Sequence, residues 1–505
     1  MFPSSPAPLF ALLAAALLLG EPLRAQTEAP SVPLPAGLSP AQREKLDKIA
    51  AIRPTPRQLT WQRYELTAFF HFGINTFTGR EWGDGKEDPK LFNPRELDCR
   101  QWVRAVKAAG VKLAILTAKH HDGFCLWPSK LTKHCVSASP WRGGRGDVCR
   151  AFVSACRAEG IKVGMYLSPW DRHEPSYGTP AYNDFFVGQL EELFEAYGPI
   201  DEIWFDGACG EGPNGKRQEY DWSRYYATIR KRNPNCVIAV SGPDVRWVGN
   251  ESGLARESEW SVVGAQALDN DAVRAGFEDY HFEHADVTRM AQQQAEVVKP
   301  AVLDAQSKTL GALREMLSAE RWVWYPAECD VSIRPGWFYH PEQDGQVKSL
   351  RQLMDIYDRS VGRNAVLLLN IPPMPSGKLH QTDVARLQRF GQALRQTFRL
   401  NLLGRMKPGQ TEVQLPQPVS FDTLLIQEDI AQGQLVERFH IEAILHGKQT
   451  WETIATSTTI GHKRILRLPQ RVIARAVRLV IDEARGQPHI LSFSAHRAAA
   501  LDEGK

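Results

Sequence analysis

The sequence predicts an α/β protein: a TIM-barrel-like (β/α)8 domain followed by an all-β sandwich. Three observations predict it. Apolar runs alternate with amphipathic helical patterns before residue 400, polar side chains gather just past each run, and beyond residue 400 the texture changes to short alternating segments. Buried strands joined by helices require a parallel sheet covered on both faces, which leaves a doubly wound sheet or a closed barrel. No G-x-G-x-x-G loop follows any of the runs, so the nucleotide-binding form of the doubly wound sheet loses its main support. In a barrel the strand ends converge on one face, where sites are built.

The elements follow in chain order. Residues 1–25 read as a signal peptide, because LFALLAAALLL (9–19) is apolar over 11 residues, too short to span a membrane, and Ala25 ends a small-residue cleavage site. The expectation is export to the periplasm or exterior of a bacterium. No cysteine follows the run to carry a lipid and no later stretch is long enough to span, so no stable membrane anchor is expected. Residues 26–55 form a Pro- and Ala-rich lead-in with one short helix, capped by Ser39 and started by Pro40.

The barrel is placed at 56–399. Its pattern is LTAFFHFG (66–73), a helix over 97–110, VKLAILTAKHH (111–121), a helix capped by Asp147 and closed by Gly160, and IKVGMYLSPW (161–170). The helix AYNDFFVGQLEELFEAYG then leads to IDEIWFDG, and DWSRYYATIRKRNPN to CVIAVSGPD (236–244). NAVLLLNIPP (364–373) and TDVARLQRFGQALRQTF (382–398) close the ring, while 251–340 fits the repeat poorly. The sandwich is placed at 400–498 on six runs, FDTLLIQEDI, ERFHIEAILHG, TWETIATSTTI, KRILRLP, AVRLVID and HILSFSAHR, with a tail at 499–505.

Composition narrows the function. Lys and Arg total 61 against 58 Asp and Glu, a formal charge of +3, which offers no field for an acidic polymer and argues against nucleic-acid binding. Fourteen Trp, 12 Tyr and 21 Phe are too many for a disordered chain. The eight cysteines show no C-x-x-C spacing, so neither zinc nor a redox pair is indicated. Most read as buried thiols, with one or two bridges open to an exported chain. No cofactor is expected.

Polar residues past the strands supply the chemistry. Asp206 follows the hydrophobic IWF and precedes Gly207, a place packing explains poorly; it reads as a catalytic carboxylate or as a loop cap. His71, His120 and His121, and Trp170 end neighbouring strands, so carboxylates, imidazoles and indoles would share one pocket. That mixture suits a sugar, whose hydroxyls need donors and acceptors while its C–H face stacks on aromatics. Two rivals remain open: a metal-dependent barrel hydrolase using the histidine pair if a loop turns both inward, and a catalytically inactive carbohydrate-binding protein.

HFGINTF, AKHHDGFCLW, IWFDGA and GRNAVLLLNIPP, in this order, resemble glycoside hydrolase family 29, the retaining alpha-L-fucosidases, over about residues 60–400. SPWDRH, GPDVRWVGNESG and AECDVSIRPGWFYHPEQD further resemble the subgroup acting on alpha-1,3 and alpha-1,4 fucosyl linkages of Lewis-type glycans. EDI-x-x-GQ-x-VE and TTIGHKRIL are similar to a galactose-binding-like, discoidin-type sandwich.

The resemblance implies that Asp206 is the nucleophile and Glu251, from WVGNESG, the acid/base, with Glu259 as runner-up among Glu211, Glu251, Glu257 and Glu259. It implies a fucose-binding set of His71, Glu81, Trp82, His120 and His121, with Tyr166 and Trp337 added, and no metal. Trp170 belongs with the same pocket, and Asp171 and His173 would meet the next sugar. The implied partner is a fucosylated oligosaccharide or glycoprotein glycan. The sequon Asn250-Glu251-Ser252 overlaps the implied acid/base, so a glycan there would block the site, which favours a bacterial source.

Overall fold

The computed structural model describes residues 32–265 and 307–501. The expected signal peptide, most of the final tail and part of the 251–340 stretch lie outside the described residues. Helix α1 (Pro40–Ala50) starts where Ser39 Oγ accepts the Gln42 N–H and the Gln42 side chain accepts the Ser39 N–H. Such a reciprocal cap is worth about 1 kcal/mol. Thr55 and Gln58 repeat it at α2 (Pro56–Gln62).

Five strands come next: β1 (Leu66–Phe70), β2 (Leu113–Lys119), β3 (Lys162–Leu167), β4 (Glu202–Phe205) and β5 (Val237–Val240). Between them run α3 (Asn75–Thr78), α4 (Cys99–Ala109), α5 (Val148–Glu159), α6 (Ala181–Tyr197) and α7 (Trp222–Arg232). The capping expected of Asp147 is present, its carboxylate accepting the Arg150 N–H at 2.7 Å, and Gly160 ends α5 in the left-handed conformation. After β5 the alternation lapses. β6 (Arg246–Trp247) follows without a helix, and β7 (Val262–Ala265) pairs antiparallel with β8 (Arg321–Trp324), which follows α8 (Leu313–Ser318). The barrel resumes with β9 (Ala327–Ser332), α9 (Leu350–Ser360), β10 (Val366–Asn370) and α10 (Gln381–Phe398).

The eight barrel strands pair side by side, all parallel, in the order β5-β4-β3-β2-β1-β10-β9-β6. The Val240 N–H donates to Val245 O at 3.0 Å, joining the two ends of the sheet at one point. To make that join Val240 adopts φ 65°, a left-handed conformation that a β-branched residue holds at a cost of order 1–3 kcal/mol.

The poor fit of the later repeat has a local cause. On β9 the buried Glu328, Asp330 and Ser332 alternate along one face, so this strand carries acids where β2 carries Leu113 and Ile115. Its sequence does not read as an apolar run.

Beyond α10 five strands form an antiparallel sheet in the order β13-β12-β14-β11-β15: β11 (Glu412–Glu428), β12 (Val436–Leu445), β13 (Glu452–Ser457), β14 (Arg464–Ala484) and β15 (Ile490–His496). The runs KRILRLP and AVRLVID, expected as two strands, are one. The β11–β14 pairing breaks register between Gln414 and Val419 and again between Phe421 and Thr423. Each long strand thereby serves two layers: β12 pairs with the second half of β14, and β15 with the second half of β11. Phe421, Ile426, Phe439, Val477 and Phe493 fill the space between the layers, which makes a sandwich.

The sandwich is bonded to the barrel just before β10. Ile465 N–H donates to Gly362 O (3.0 Å) and His462 N–H to Asn364 Oδ1 (2.7 Å). Gly461 is needed for this approach, since a Cβ there would lie 2.2 Å from Asn364 Cγ. All eight cysteines are buried, and none of them is in a disulfide. Among the described residues no helix is long and apolar enough to cross a membrane.

Candidate active site

The C-terminal ends of the barrel strands enclose a cavity of about 600 Å³, within the range of small-molecule pockets. His71, Glu81, Trp82, His120, His121, Asp206, Glu251 and Trp337, eight of the residues singled out from the sequence, line it.

Asp206 stands immediately past β4, its carboxylate turned into the cavity and one quarter exposed. Oδ1 accepts the Ala208 N–H at 2.7 Å, and Oδ2 accepts the Tyr166 hydroxyl at 3.0 Å. The carboxylate itself therefore makes the turn after the strand. Gly207 has no positive φ and lines the cavity. Tyr166 does not line the cavity; it acts from behind, through Asp206.

The three histidines are neutral. Burial pushes His71 down to about 3 and His121 to about 4, and takes His120 well below the ordinary imidazole value. Their tautomers follow from their partners. Asn370 Nδ2 gives its hydrogens to Ser332 Oγ (2.9 Å) and Trp337 O (2.8 Å), so Asn370 Oδ1 accepts from His71 Nδ1–H at 2.9 Å. Ser168 donates to Trp170 O (2.6 Å) and so accepts from His121 Nδ1–H (2.8 Å), leaving the His121 Nε2 lone pair 3.7 Å from Asp206 Oδ2.

His120 and His121 both reach the cavity because β2 ends at Lys119 and its pairing with β3 slips between Thr117 and Lys119. The slip re-aims the chain. Gly123 completes the turn at φ 78°, where a Cβ would lie 2.5 Å from Asp171 Oδ1.

Asp171 and His173, expected at the next sugar, lie outside the lining of this cavity. The buried Asp171 carboxylate accepts from Lys119 Nζ (2.9 Å), His173 N–H (3.0 Å) and Glu174 N–H (2.9 Å). A buried lysine needs that partner, so the aspartate is committed to the scaffold. His173 Nδ1 contacts Gly85 O at 2.6 Å and its ring stacks on His134. Neither lines the cavity. Trp170 is also behind the wall, edge-on to Trp82 with ring centroids 5.5 Å apart and its indole N–H on Glu211 O.

Glu251 is exposed at the cavity mouth, and Trp337 Nε1–H donates to its Oε2 at 3.2 Å. Partial desolvation raises its pKa; the Trp337 hydrogen bond opposes the shift, and the negative charges of Asp206 and Glu81 add to it. The runner-up, Glu259, is placed elsewhere. It is buried between Arg246 and Arg256, outside the cavity lining; burial disfavours its charge, but the two guanidiniums outweigh that and hold it low. Glu81 accepts the Trp337 N–H (2.8 Å) and meets His340 Nε2 at 2.6 Å, so it fixes the loop that carries Trp337.

The sequence reading missed Asp330, Trp247, Trp204, Phe69, Arg80 and Val240, all in the lining. Asp330 had a signal, since E-x-D-x-S places three polar side chains on one strand face. Its carboxyl accepts the Trp247 indole N–H at 2.8 Å, and burial, reinforced by Glu251, pushes it well above the usual carboxylate range. The arrangement offers carboxyl groups of unlike environment, neutral imidazoles and indole faces around one space, which equips it for proton transfer and nucleophilic attack on a sugar.

Comparisons with known proteins agree with that chemistry. The Alpha-L-fucosidase family model matches residues 57–397, the barrel. Alpha-L-fucosidase 1 of Arabidopsis thaliana is 38% identical over 86% of this chain and 86% of its own. A crystal structure of a candidate alpha-L-fucosidase from Bacteroides ovatus superposes with a TM-score of 0.82 at 46% identity, covering 94% of this chain and 78% of that one. A Ruminococcus gnavus family 29 fucosidase solved in complex with fucose matches at TM-score 0.72 and 28% identity over 90% and 96% of the two chains. The chain belongs to the alpha-L-fucosidase family of glycoside hydrolases, family 29.

Proposed function

We propose that this fucosidase is a retaining, exo-acting enzyme that releases terminal alpha-1,3/1,4-linked L-fucose from branched, Lewis-type oligosaccharides or glycoconjugates by double displacement. The observation that carries this reading is the convergence of Asp206 and Glu251 on one cavity, the first fixed by Tyr166 and Ala208 and the second with its pKa raised. Asp206 attacks the anomeric carbon as the glycosidic C–O bond breaks, and Glu251 gives its proton to the departing oxygen. Glu251 then takes a proton from water, whose oxygen displaces the Asp206 carboxylate and releases fucose.

The neutral histidines bind rather than titrate. With its proton on Nδ1, His71 presents Nε2 as an acceptor for a sugar hydroxyl. Trp82 and Trp337, half-buried in the wall, offer indole faces for the C–H face of the ring.

Labelling with a 2-fluoro fucosyl fluoride, followed by peptide mapping, tests the mechanism: the label is expected on Asp206, and a label elsewhere overturns it. Release of free fucose from a Lewis trisaccharide beside a simple aryl fucoside tests the linkage; cleavage of the aryl fucoside alone removes the alpha-1,3/1,4 assignment. The apolar run at 9–19 supports export to the periplasm or exterior, with a mature N-terminus expected at Gln26 on sequencing.

A further inference from the structure

Glu251 lies on the segment between β6 and β7, and side chains that start in the sandwich brace that segment. Gln434, buried just before β12, accepts the Ser261 N–H at 2.8 Å and donates to Glu259 O at 3.0 Å and to Thr459 Oγ1 at 2.7 Å. Asn364 Nδ2 also donates to Gln434 Oε1 (3.0 Å) and Glu259 O (3.0 Å). The Glu259 carboxylate passes the restraint on. It pairs with Arg246 of β6 and with Arg256, whose Nη1 donates to it at 3.0 Å and to Val248 O at 3.2 Å. Val248 and Arg256 stand on either side of Glu251 in the chain.

We propose that Gln434 and Glu259 are positioning residues for Glu251, so that the C-terminal sandwich aims the acid/base of a site built on the barrel. The inference rests on the acid/base role proposed for Glu251. Two features of the brace suit that task. Gln434, Glu259 and Thr459 are buried and the brace is hydrogen-bonded throughout, so it is rigid, and it ends on the two sides of a carboxyl that is itself exposed at the cavity mouth. A general acid misplaced by about an ångström loses much of its effect. Asp206 is fixed separately, by Tyr166 and Ala208, so loosening the brace should spare the nucleophile.

The test is leaving-group dependence in the full chain. Gln434→Leu keeps the side-chain volume and removes its hydrogen bonds; Glu259→Gln keeps the shape and removes the charge. Each is expected to lower kcat/KM, which reports the fucosylation step alone, at least tenfold on a fucosyl disaccharide while changing kcat/KM on a dinitrophenyl fucoside, whose leaving group needs no proton, less than twofold. Equal losses on both substrates, or no loss on either, overturn the proposal. Thr459→Val, which removes only the acceptor orienting the Gln434 amide, carries the same expectation at about threefold and serves if the first two variants fail to fold. Glu251→Ala is run alongside. If it shows no leaving-group dependence, the acid/base assignment fails; if it does and the brace variants do not, only the present inference fails.

Discussion

The Tyr166 hydroxyl donates to Asp206 Oδ2 across 3.0 Å, from a ring that is fully buried and stacked on Trp204 with centroids 5.2 Å apart. The phenol cannot move away from the carboxylate without disturbing the barrel core. Asp206 therefore keeps a donor on this oxygen whether it is free or is leaving an ester.

Tyr166→Phe removes that donor while keeping the packing. A hydrogen bond to a charged group is worth about 1.5–3 kcal/mol, and it acts most on the step that regenerates the carboxylate. Breakdown of the fucosyl-enzyme is expected to slow by about 10- to 100-fold. Rapid-quench kinetics on an activated aryl fucoside should then show a burst of released phenol close to one equivalent; a linear time course would remove this role.

Glu251 must be protonated to act as an acid, and its pKa is raised. Activity is thus retained above the ordinary glutamate value and is lost as pH rises through the raised one. Glu251→Gln is expected to abolish this alkaline limb of kcat/KM on a disaccharide, with about a hundredfold loss at the optimum, and to cost far less on a dinitrophenyl fucoside. Glu81→Gln removes one of the charges that raise Glu251 and should move the limb to lower pH, which a pH profile of that variant checks.

Asn370 fixes the tautomer of His71 by accepting from Nδ1. In Asn370→Ala the inhibition constant of free L-fucose is expected to rise about tenfold, or about 1.4 kcal/mol. His71→Ala should weaken fucose similarly, and the double variant should be little worse than either single. Fully multiplicative losses would mean that the two residues act independently.

The join between barrel and sandwich has its own pH dependence. Glu65 meets His462 Nε2 at 3.0 Å and is ion-paired with Lys463. Burial disfavours its charge, but Lys463 and His462 outweigh that and bring it down to about 2. Because the folded value lies below the unfolded 4.5, the stabilisation is complete above pH ~4.5 and is lost as pH falls from there toward about 2. Glu65→Gln is expected to cost about 2 kcal/mol at neutral pH, read by urea unfolding, and the gap to the parent chain should narrow as the pH is lowered across that interval.

How much of this was legible in the sequence depended on which faces each strand buries. β1 to β5 are covered on both sides and so read as apolar runs, whereas the acids on the inner face of β9 hid that strand and Asp330 with it. β6 spans only Arg246–Trp247, too short for any periodicity, and Trp247 went unnoticed. Asp206 was readable from its place after IWF, but Glu251 came only from a motif, because nothing local distinguishes it from Glu257 or Glu259. What separates these three among the described residues is who holds them: Glu257 bonds to Arg363 and Arg464, and Glu259 to Arg246 and Arg256, while Glu251 meets an indole N–H. The scaffold partners of Asp171 and His173 were hidden for the same reason, since Lys119 and Gly85 are distant in the chain.

The burial of the eight thiols has a practical consequence. Burial raises the pKa of six of them, Cys99, Cys125, Cys149, Cys156, Cys236 and Cys329, and the thiolate is the reactive form. The native protein should resist alkylating reagents and tolerate reductant, since it has no cross-link to lose. Any opening of the core would expose several sulfurs together, so iodoacetamide uptake followed by mass spectrometry would count unfolding events directly.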